Sequence, residues 1–259
     1  MGRFLPLGLA LAMTFASSAA VAASGSTLYF DHESSSLLEK GEQLGGAVYV
    51  PADVDTPTAL PLVVFLHGTN PTGALHLWMG GGPAPDLREI VDAWTGSSRP
   101  APFLLAAPSQ TRGAGTGSTL WPTFDLSSFV DHAEAALPTT VEVDRQRILV
   151  VGHSGAGCNG LGGLASIANT ATPFALVALD TCLDDPFAAA LRKSATDGVH
   201  VSVYFQRAIW PRDFDGFAKA VNPTVTTTEV TVGGPNAHDD IVAVALRHFL
   251  VESLGHREP

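Results

Sequence analysis

Short, continuous apolar runs recur along this chain, separated by stretches in which apolar positions return every three or four residues. Leu62-Val63-Val64-Phe65-Leu66, Phe103-Leu104-Leu105-Ala106-Ala107, Ile148-Leu149-Val150-Val151, Ala175 to Leu179 and Val199 to Phe205 are runs of the first kind. Such runs mark strands buried on both faces of a sheet. Leu28-Tyr29-Phe30, Ala47-Val48-Tyr49-Val50 and Thr226 to Val232 predict three further strands, the last stopping at Gly233-Gly234. Helices are predicted between them. Asp86 to Trp94 opens on a carboxylate able to cap a first turn. Asp125 to Leu137 places apolar residues at 126, 129, 130, 133 and 137, a helical period. Asp185-Pro186 opens a third helix, with proline where its missing N–H costs nothing. Ile241 to Leu254 closes the chain. Strands alternating with helices predict an α/β fold: one domain over 24–259, with a mostly parallel eight-stranded sheet covered on both faces.

Residues 1–23 stand apart from this pattern. Arg3 gives a positive start, Phe4 to Phe15 are mostly apolar, and small residues follow with an Ala20-x-Ala22 spacing. That is the layout of a signal peptide, so cleavage near Ala22 or Ala23 and export to the periplasm or beyond are expected. The apolar run is too short to span a bilayer, and no later stretch is longer, so no membrane span is expected. Composition narrows the remaining choices. The 259 residues are 46% hydrophobic, which excludes a disordered chain, and 25 acidic against 14 basic residues leave a net charge of −11. Nucleic acid is not an expected partner, because phosphates are held by clusters of Lys and Arg. Two cysteines cannot build a thiolate zinc site or a disulfide-framed mini-domain.

The chemistry concentrates in Val151-Gly152-His153-Ser154-Gly155-Ala156-Gly157-Cys158-Asn159-Gly160. One parse is Gly152-His153-Ser154-Gly155-Ala156, a serine on a sharp turn between a buried strand and a helix. Small residues two positions to either side permit the turn, and the Gly155 amide faces the oxyanion. The competing parse is Gly155-x-Gly157-x-x-Gly160, with Asp180 twenty residues further on, the spacing of a dinucleotide-binding fingerprint and hence of an oxidoreductase. His153 and Ser154 intrude between the strand and its first glycine, and the unit follows four strands instead of opening the domain. The serine parse is therefore preferred.

A serine nucleophile needs a base, a group that orients the base and a second oxyanion donor. Leu66-His67-Gly68-Thr69 follows the strand at 62–66 and offers the Thr69 amide as that donor. His238, in the loop between the last strand and last helix, is the expected base; His67 and His153 are expected to shape the turns. Asp180, at the end of the strand at 175–179, is the preferred acid, with Asp213 and then Asp184 as alternatives. Asp239 is too near His238 to orient it and is expected to cap the final helix. Cys158, placed one turn into the helix behind Ser154, and Cys182, just past the neighbouring strand, are expected to pair as a disulfide in an oxidising compartment. Trp78, Trp121 and Trp210 are candidates for lining an apolar cleft or for anchoring loops.

Taken together, Leu66-His67-Gly68, Gly152-His153-Ser154-Gly155-Ala156 and His238 make the chain resemble the α/β-hydrolases over nearly its whole length after residue 23. Val143-Asp144-Arg145-Gln146-Arg147-Ile148 makes it similar, within them, to exported esterases of the feruloyl-esterase and polyester-depolymerase type. The resemblance implies a Ser-His-Asp triad and carboxylic ester hydrolysis; a small or polymeric ester is the expected substrate, that chemistry needs no metal or organic cofactor, and a monomer is expected. It departs from the pattern at Ala156 and in having no close acid after the strand at 199–205, the usual place for one. A serine peptidase with the same triad remains the alternative within the class, and a non-catalytic binding protein the alternative outside it.

Overall fold

The computed structural model describes residues 23–32, 37–39, 42–52, 54, 58–94, 99–112, 121–209 and 213–256; the expected signal peptide lies outside them, save Ala23, as does Trp210. Eight strands form one sheet: β1 (Ser26–Phe30), β2 (Gly46–Val50), β3 (Thr58–Leu66), β4 (Leu104–Pro108), β5 (Val141–His153), β6 (Ala175–Leu179), β7 (His200–Phe205) and β8 (Thr226–Glu229). Their spatial order is β1-β2-β4-β3-β5-β6-β7-β8. The β1–β2 and β2–β4 pairs are antiparallel and every pair from β4 to β8 is parallel. The apolar runs sit at the centre because both of their faces are covered. Leu62, Val64, Leu66, Val150, Leu176 and Val203 point into a core shared with α2 (Leu126–Ala136), α3 (Gly163–Thr170), α4 (Asp185–Thr196) and α5 (Phe214–Val221). Their neighbours Val63, Phe65, Leu149, Val151 and Val177 point the other way, into a core closed by α1 (Leu87–Asp92) and α6 (Ala237–Leu254).

Several boundaries differ from those predicted, β3 among them, which starts at Thr58 and not Leu62; three others have a plain local cause. β5 runs back to Val141 because Val141 and Val143 are buried while Glu142 is exposed, an alternating half-covered strand that a search for continuous apolar runs passes over. The helix expected directly behind Ser154 is instead a 3-10 turn over Ser154–Gly157, and α3 begins only at Gly163. β8 stops at Glu229 and not at Val232: Val230 N still donates to Phe205 O at 2.9 Å, but Val232 N donates to the Gln206 side-chain oxygen at 3.2 Å, so a side chain replaces the ladder.

α6 starts at Ala237, four residues before the first residue of its apolar period. Its first turn is Ala237-His238-Asp239-Asp240, in which the two carboxylates favour the positive end of the helix dipole. Asn236 is the N-cap, so Asp239 does not cap the helix, and His238 belongs to a helical turn and not to a loop.

Gly152 shows how tightly the turn is packed. A Cβ there would come to 2.5 Å from Leu164 Cγ, whose own side chain is fully buried. Gly152→Ala is expected to lower stability by about 1–3 kcal/mol through overpacking. Urea titration of the variant checks this, and Leu164→Ala in the same chain should make the two losses less than additive.

Candidate active site

β5 ends at His153 in extended geometry, and Ser154 then takes φ 50°, a conformation that L-residues other than Gly, Asn and Asp rarely adopt. The reversal lifts the serine above the end of the sheet. Gly68 and Gly155 make room for it. A Cβ on Gly68 would lie 3.0 Å from Ser154 Cβ and 3.5 Å from its Oγ, while one on Gly155 would lie 3.0 Å from the Thr69 backbone nitrogen. The turn after β3, which carries the Thr69 amide, thus packs directly on the turn after β5, which carries Ser154 and Gly155. Ala156, the small departure in the motif, is fully buried in the core beneath.

The loop carrying Thr69 is held by His67. This buried ring donates from Nδ1 to Gly68 O at 2.7 Å and accepts Gln110 N on Nε2 at 3.0 Å, so the two contacts fix one neutral tautomer. Trp121 Nε1 donates to His67 O at 2.7 Å. With the Gly68 carbonyl turned toward the ring, the N–H of the same trans peptide, that of Thr69, points the opposite way. Burial pushes His67 down to about 4.

His238, from the first turn of α6, meets Asp180, from the end of β6: His238 Nδ1 donates to Asp180 Oδ2 at 2.7 Å. The acid's side chain is 1% exposed and the histidine's 27%, so the acid is inside and the ring reaches outward from it. Asp180 has φ 48° and keeps its amide in the β6–β7 ladder, donating to Tyr204 O at 2.8 Å. Ser154, Asp180 and Leu183 are three of the six non-glycine residues with positive φ among those described, so backbone strain gathers at the ends of β5 and β6. His153, the residue before the serine, reaches the first turn of α6. Its Nε2 donates to His238 O at 2.8 Å, and its ring packs on His238 at 4.6 Å and edge-on against Trp78 at 5.5 Å. Burial, with a smaller push from His238, lowers His153 to about 3 and keeps it neutral. The motif marked His153 as a turn-shaping residue; its bond to the helix that bears His238 is long-range and had no signal in the spacing.

The alternative acids are occupied elsewhere. Asp213 caps α5 by accepting Gly216 N at 2.8 Å, and Asp184 caps α4 by accepting Phe187 N at 2.9 Å. The fingerprint glycines are used by packing. A Cβ on Gly157 would lie 2.8 Å from Thr181, one on Gly160 would lie 2.7 Å from Pro186, and no helix opens at Gly155 to receive a pyrophosphate. Trp78 and Trp121 are buried and anchor loops; neither lines an open cleft. Donor atoms of His153, His238 and Asp239 gather within 4.8 Å of one another. Two nitrogens of that group are already engaged, His153 Nε2 by a carbonyl and His238 Nδ1 by Asp180, which leaves a poor cage for a cation.

A disulfide joins Cys158, at the end of the 3-10 turn and not one turn into a helix, to Cys182, two residues past Asp180. It ties the serine turn to the acid's strand end across 24 positions.

No family profile matches the chain, and no curated protein matches it. Solved structures do. A fluorophosphonate-binding serine hydrolase of Staphylococcus aureus is 12% identical with a TM-score of 0.56, covering 88% of this chain and 98% of its own. Thermogutta terrifontis esterase 2 phosphoramylated by tabun is 15% identical with a TM-score of 0.52, covering 91% and 97%. A thermostable esterase is 17% identical with a TM-score of 0.52; 89% of this chain matches 62% of that protein's length.

Two measurements probe this site without reference to activity. Opening the disulfide by Cys158→Ser/Cys182→Ser should lower stability by about 3 kcal/mol, on the chain-entropy account of a loop this long; chemical denaturation reads it. His67 at about 4 and His153 at about 3 lie below the ordinary histidine value of 6.5 in the folded state. The unfolded chain therefore binds more protons below pH 6.5, and stability falls as pH drops from there toward 4, with each ring adding up to about 1.4 kcal/mol per pH unit to the slope. A His153→Asn variant should show a shallower slope over that window. From sheet order, the strained serine turn and these neighbours alike, the chain has the α/β-hydrolase fold.

Proposed function

We propose that this chain is an exported serine hydrolase that cleaves carboxylic esters with Ser154 as nucleophile, His238 as base and Asp180 as the acid that orients it. The observation that carries the reading is the 2.7 Å bond from His238 Nδ1 to the buried Asp180 carboxylate. The His238 ring packs on His153, the residue before a serine held at positive φ. Fold neighbours named as esterases and as a fluorophosphonate-binding serine hydrolase support ester cleavage over amide cleavage. Within that class the run from Val143 to Ile148 favours the exported feruloyl-esterase and polyester-depolymerase type. Export rests on the Ala20-x-Ala22 spacing and agrees with an oxidised cysteine pair. All the groups come from one chain, so the reading needs no second copy.

The reaction runs as acyl transfer. Ser154 Oγ attacks the ester carbonyl carbon while His238 Nε2 takes its proton, and Asp180 stabilises the imidazolium through Nδ1–H. The Thr69 and Gly155 amides receive the oxyanion, worth about 3–4 kcal/mol per donor in related sites. His238 then protonates the departing alkoxide, the C–O bond breaks, and an acyl-serine remains. Water, deprotonated by the same nitrogen, adds to the acyl carbon, and the carboxylic acid leaves with Ser154 restored. His153, held neutral, donates to the His238 carbonyl and does not compete for the proton.

Ser154→Ala should abolish both fluorophosphonate labelling and hydrolysis of p-nitrophenyl esters, with a loss in kcat of about 10⁶, while leaving the circular dichroism spectrum unchanged. Labelling that survives would move the nucleophile elsewhere. Asp180→Asn should lower kcat by roughly 10³–10⁴. Asp213→Asn, which keeps an oxygen able to cap α5, should leave kcat within about threefold and stability nearly unchanged. The reverse ranking of the two aspartates excludes the Asp180 assignment.

A further inference from the structure

Gln206 is the first residue after β7, the place where the α/β-hydrolase resemblance leads one to look for an acid, and it is 2% exposed. Its side chain makes a three-way junction. Oε1 accepts Val232 N at 3.2 Å. Nε2 donates to Ala237 O at 2.9 Å and to Asp180 Oδ2 at 3.3 Å. Its backbone amide donates to Asp180 Oδ1 at 3.3 Å. The orientation of the amide is set by its partners, since a backbone N–H can only donate to the oxygen and a backbone carbonyl can only accept from the nitrogen. One residue therefore binds both oxygens of Asp180, the residue before His238, and the irregular segment that leads into α6.

We propose that Gln206 is a positioning residue for the Ser154–His238–Asp180 reaction: it locks Asp180 and the first turn of α6 to one another, so that Asp180 Oδ2 stays on His238 Nδ1. The inference rests on the function proposed above. It follows from the absence of covalent or ladder contact between β6 and α6 at this point. Asp180 hangs on the end of β6 with its amide bonded to β7, and His238 enters on a separate helix after an irregular stretch, 230–236. The Oδ2 atom that takes the His238 proton donor also takes the Gln206 side-chain donor, so loss of that side chain leaves the carboxylate held by the Gln206 backbone amide alone on this side and more strongly charged toward the imidazole. A displacement of about 1 Å at a catalytic pair is enough to cost on the order of 10² in rate.

Two variants and two readouts test this. Gln206→Leu keeps the bulk and removes every side-chain hydrogen bond. It should lower kcat for p-nitrophenyl butyrate roughly 10²-fold with little change in KM, and shift the acid limb of the kcat/KM profile to higher pH. Gln206→Glu carries a donor only when protonated. The groups that face it are Asp180 on β6 and His238 on α6, with His153 on β5 and Asp239 on α6 beyond them, while the adjacent Arg207 turns outward to Asp215 and Glu229. Beside the Asp180 carboxylate and the Ala237 carbonyl, the ionised side chain of this variant repels both. The ratio of variant to wild-type kcat should therefore fall as pH rises.

The second readout, independent of turnover, is exchange of the His238 Nδ1 proton with solvent, measured by NMR on histidine-labelled protein. It should quicken at least about tenfold in Gln206→Leu, as expected for a donor whose acceptor, Asp180, is held less firmly. If the wild type neither hydrolyses esters nor labels at Ser154, the proposed function fails, and proton exchange alone decides the role of Gln206. If Gln206→Leu does not fold, Gln206→Glu decides it. Unchanged kcat and unchanged proton exchange in Gln206→Leu, or a Gln206→Glu ratio that does not vary with pH, overturns the proposal.

Discussion

A carboxylate buried at the end of a parallel strand must be surrounded by donors, because water cannot reach it and a bare charge in the interior is expensive. Asp180 meets that requirement with His238 Nδ1, the Gln206 side chain and the Gln206 amide. Much of the surrounding architecture follows from this one demand. β7 must end where Gln206 can turn its amide toward β6. α6 must begin at Ala237, four residues ahead of its apolar period, so that a histidine in its first turn points at the acid. β8 must stop at Glu229 so that the chain can cross over Gln206 and enter that helix.

Buried, neutral histidines support the serine side of the site. His67 fixes the turn bearing the Thr69 amide, and His153 fixes the helix bearing His238. Both rings are buried and held uncharged by desolvation, so they act as rigid hydrogen-bonding wedges. The disulfide then joins the ends of the two strained strand exits, β5 at Ser154 and β6 at Asp180. Strain of this kind persists only where neighbours over-determine the backbone, and here glycines 68, 152, 155 and 157 let those neighbours come close.

The sheet was legible because its strands carry their signal in continuous apolar runs: β3 to β7 are found where Leu62, Phe103, Ile148, Ala175 and Val199 open such runs. Boundaries set by side-chain hydrogen bonds were not. The early end of β8 depends on a glutamine 26 positions away, and the early start of α6 depends on polar residues that carry no helical period. Of the site, local spacing marks the serine turn and the amides proposed as oxyanion donors, because a sharp turn needs glycine at fixed offsets. Asp180 could be read as a strand-end acid, but nothing within its own segment separates it from Asp184 or Asp213; caps and orienting acids look alike until the partner is seen. Gln206 gave no signal at all, since an uncharged residue at an expected acid position reads as an absence.

Everything proposed for this site turns on Asp180, held from inside by the fold, presenting His238 to Ser154 beneath the Thr69 and Gly155 amides. A crystal structure of the protein after reaction with a fluorophosphonate puts that arrangement to the proof. It should show phosphorus bonded to Ser154 Oγ, the phosphoryl oxygen about 3 Å from both amide nitrogens, and His238 Nδ1 still on Asp180 Oδ2. An unmodified Ser154, or an adduct in which His238 turns to Asp213 or Asp239, would refute it.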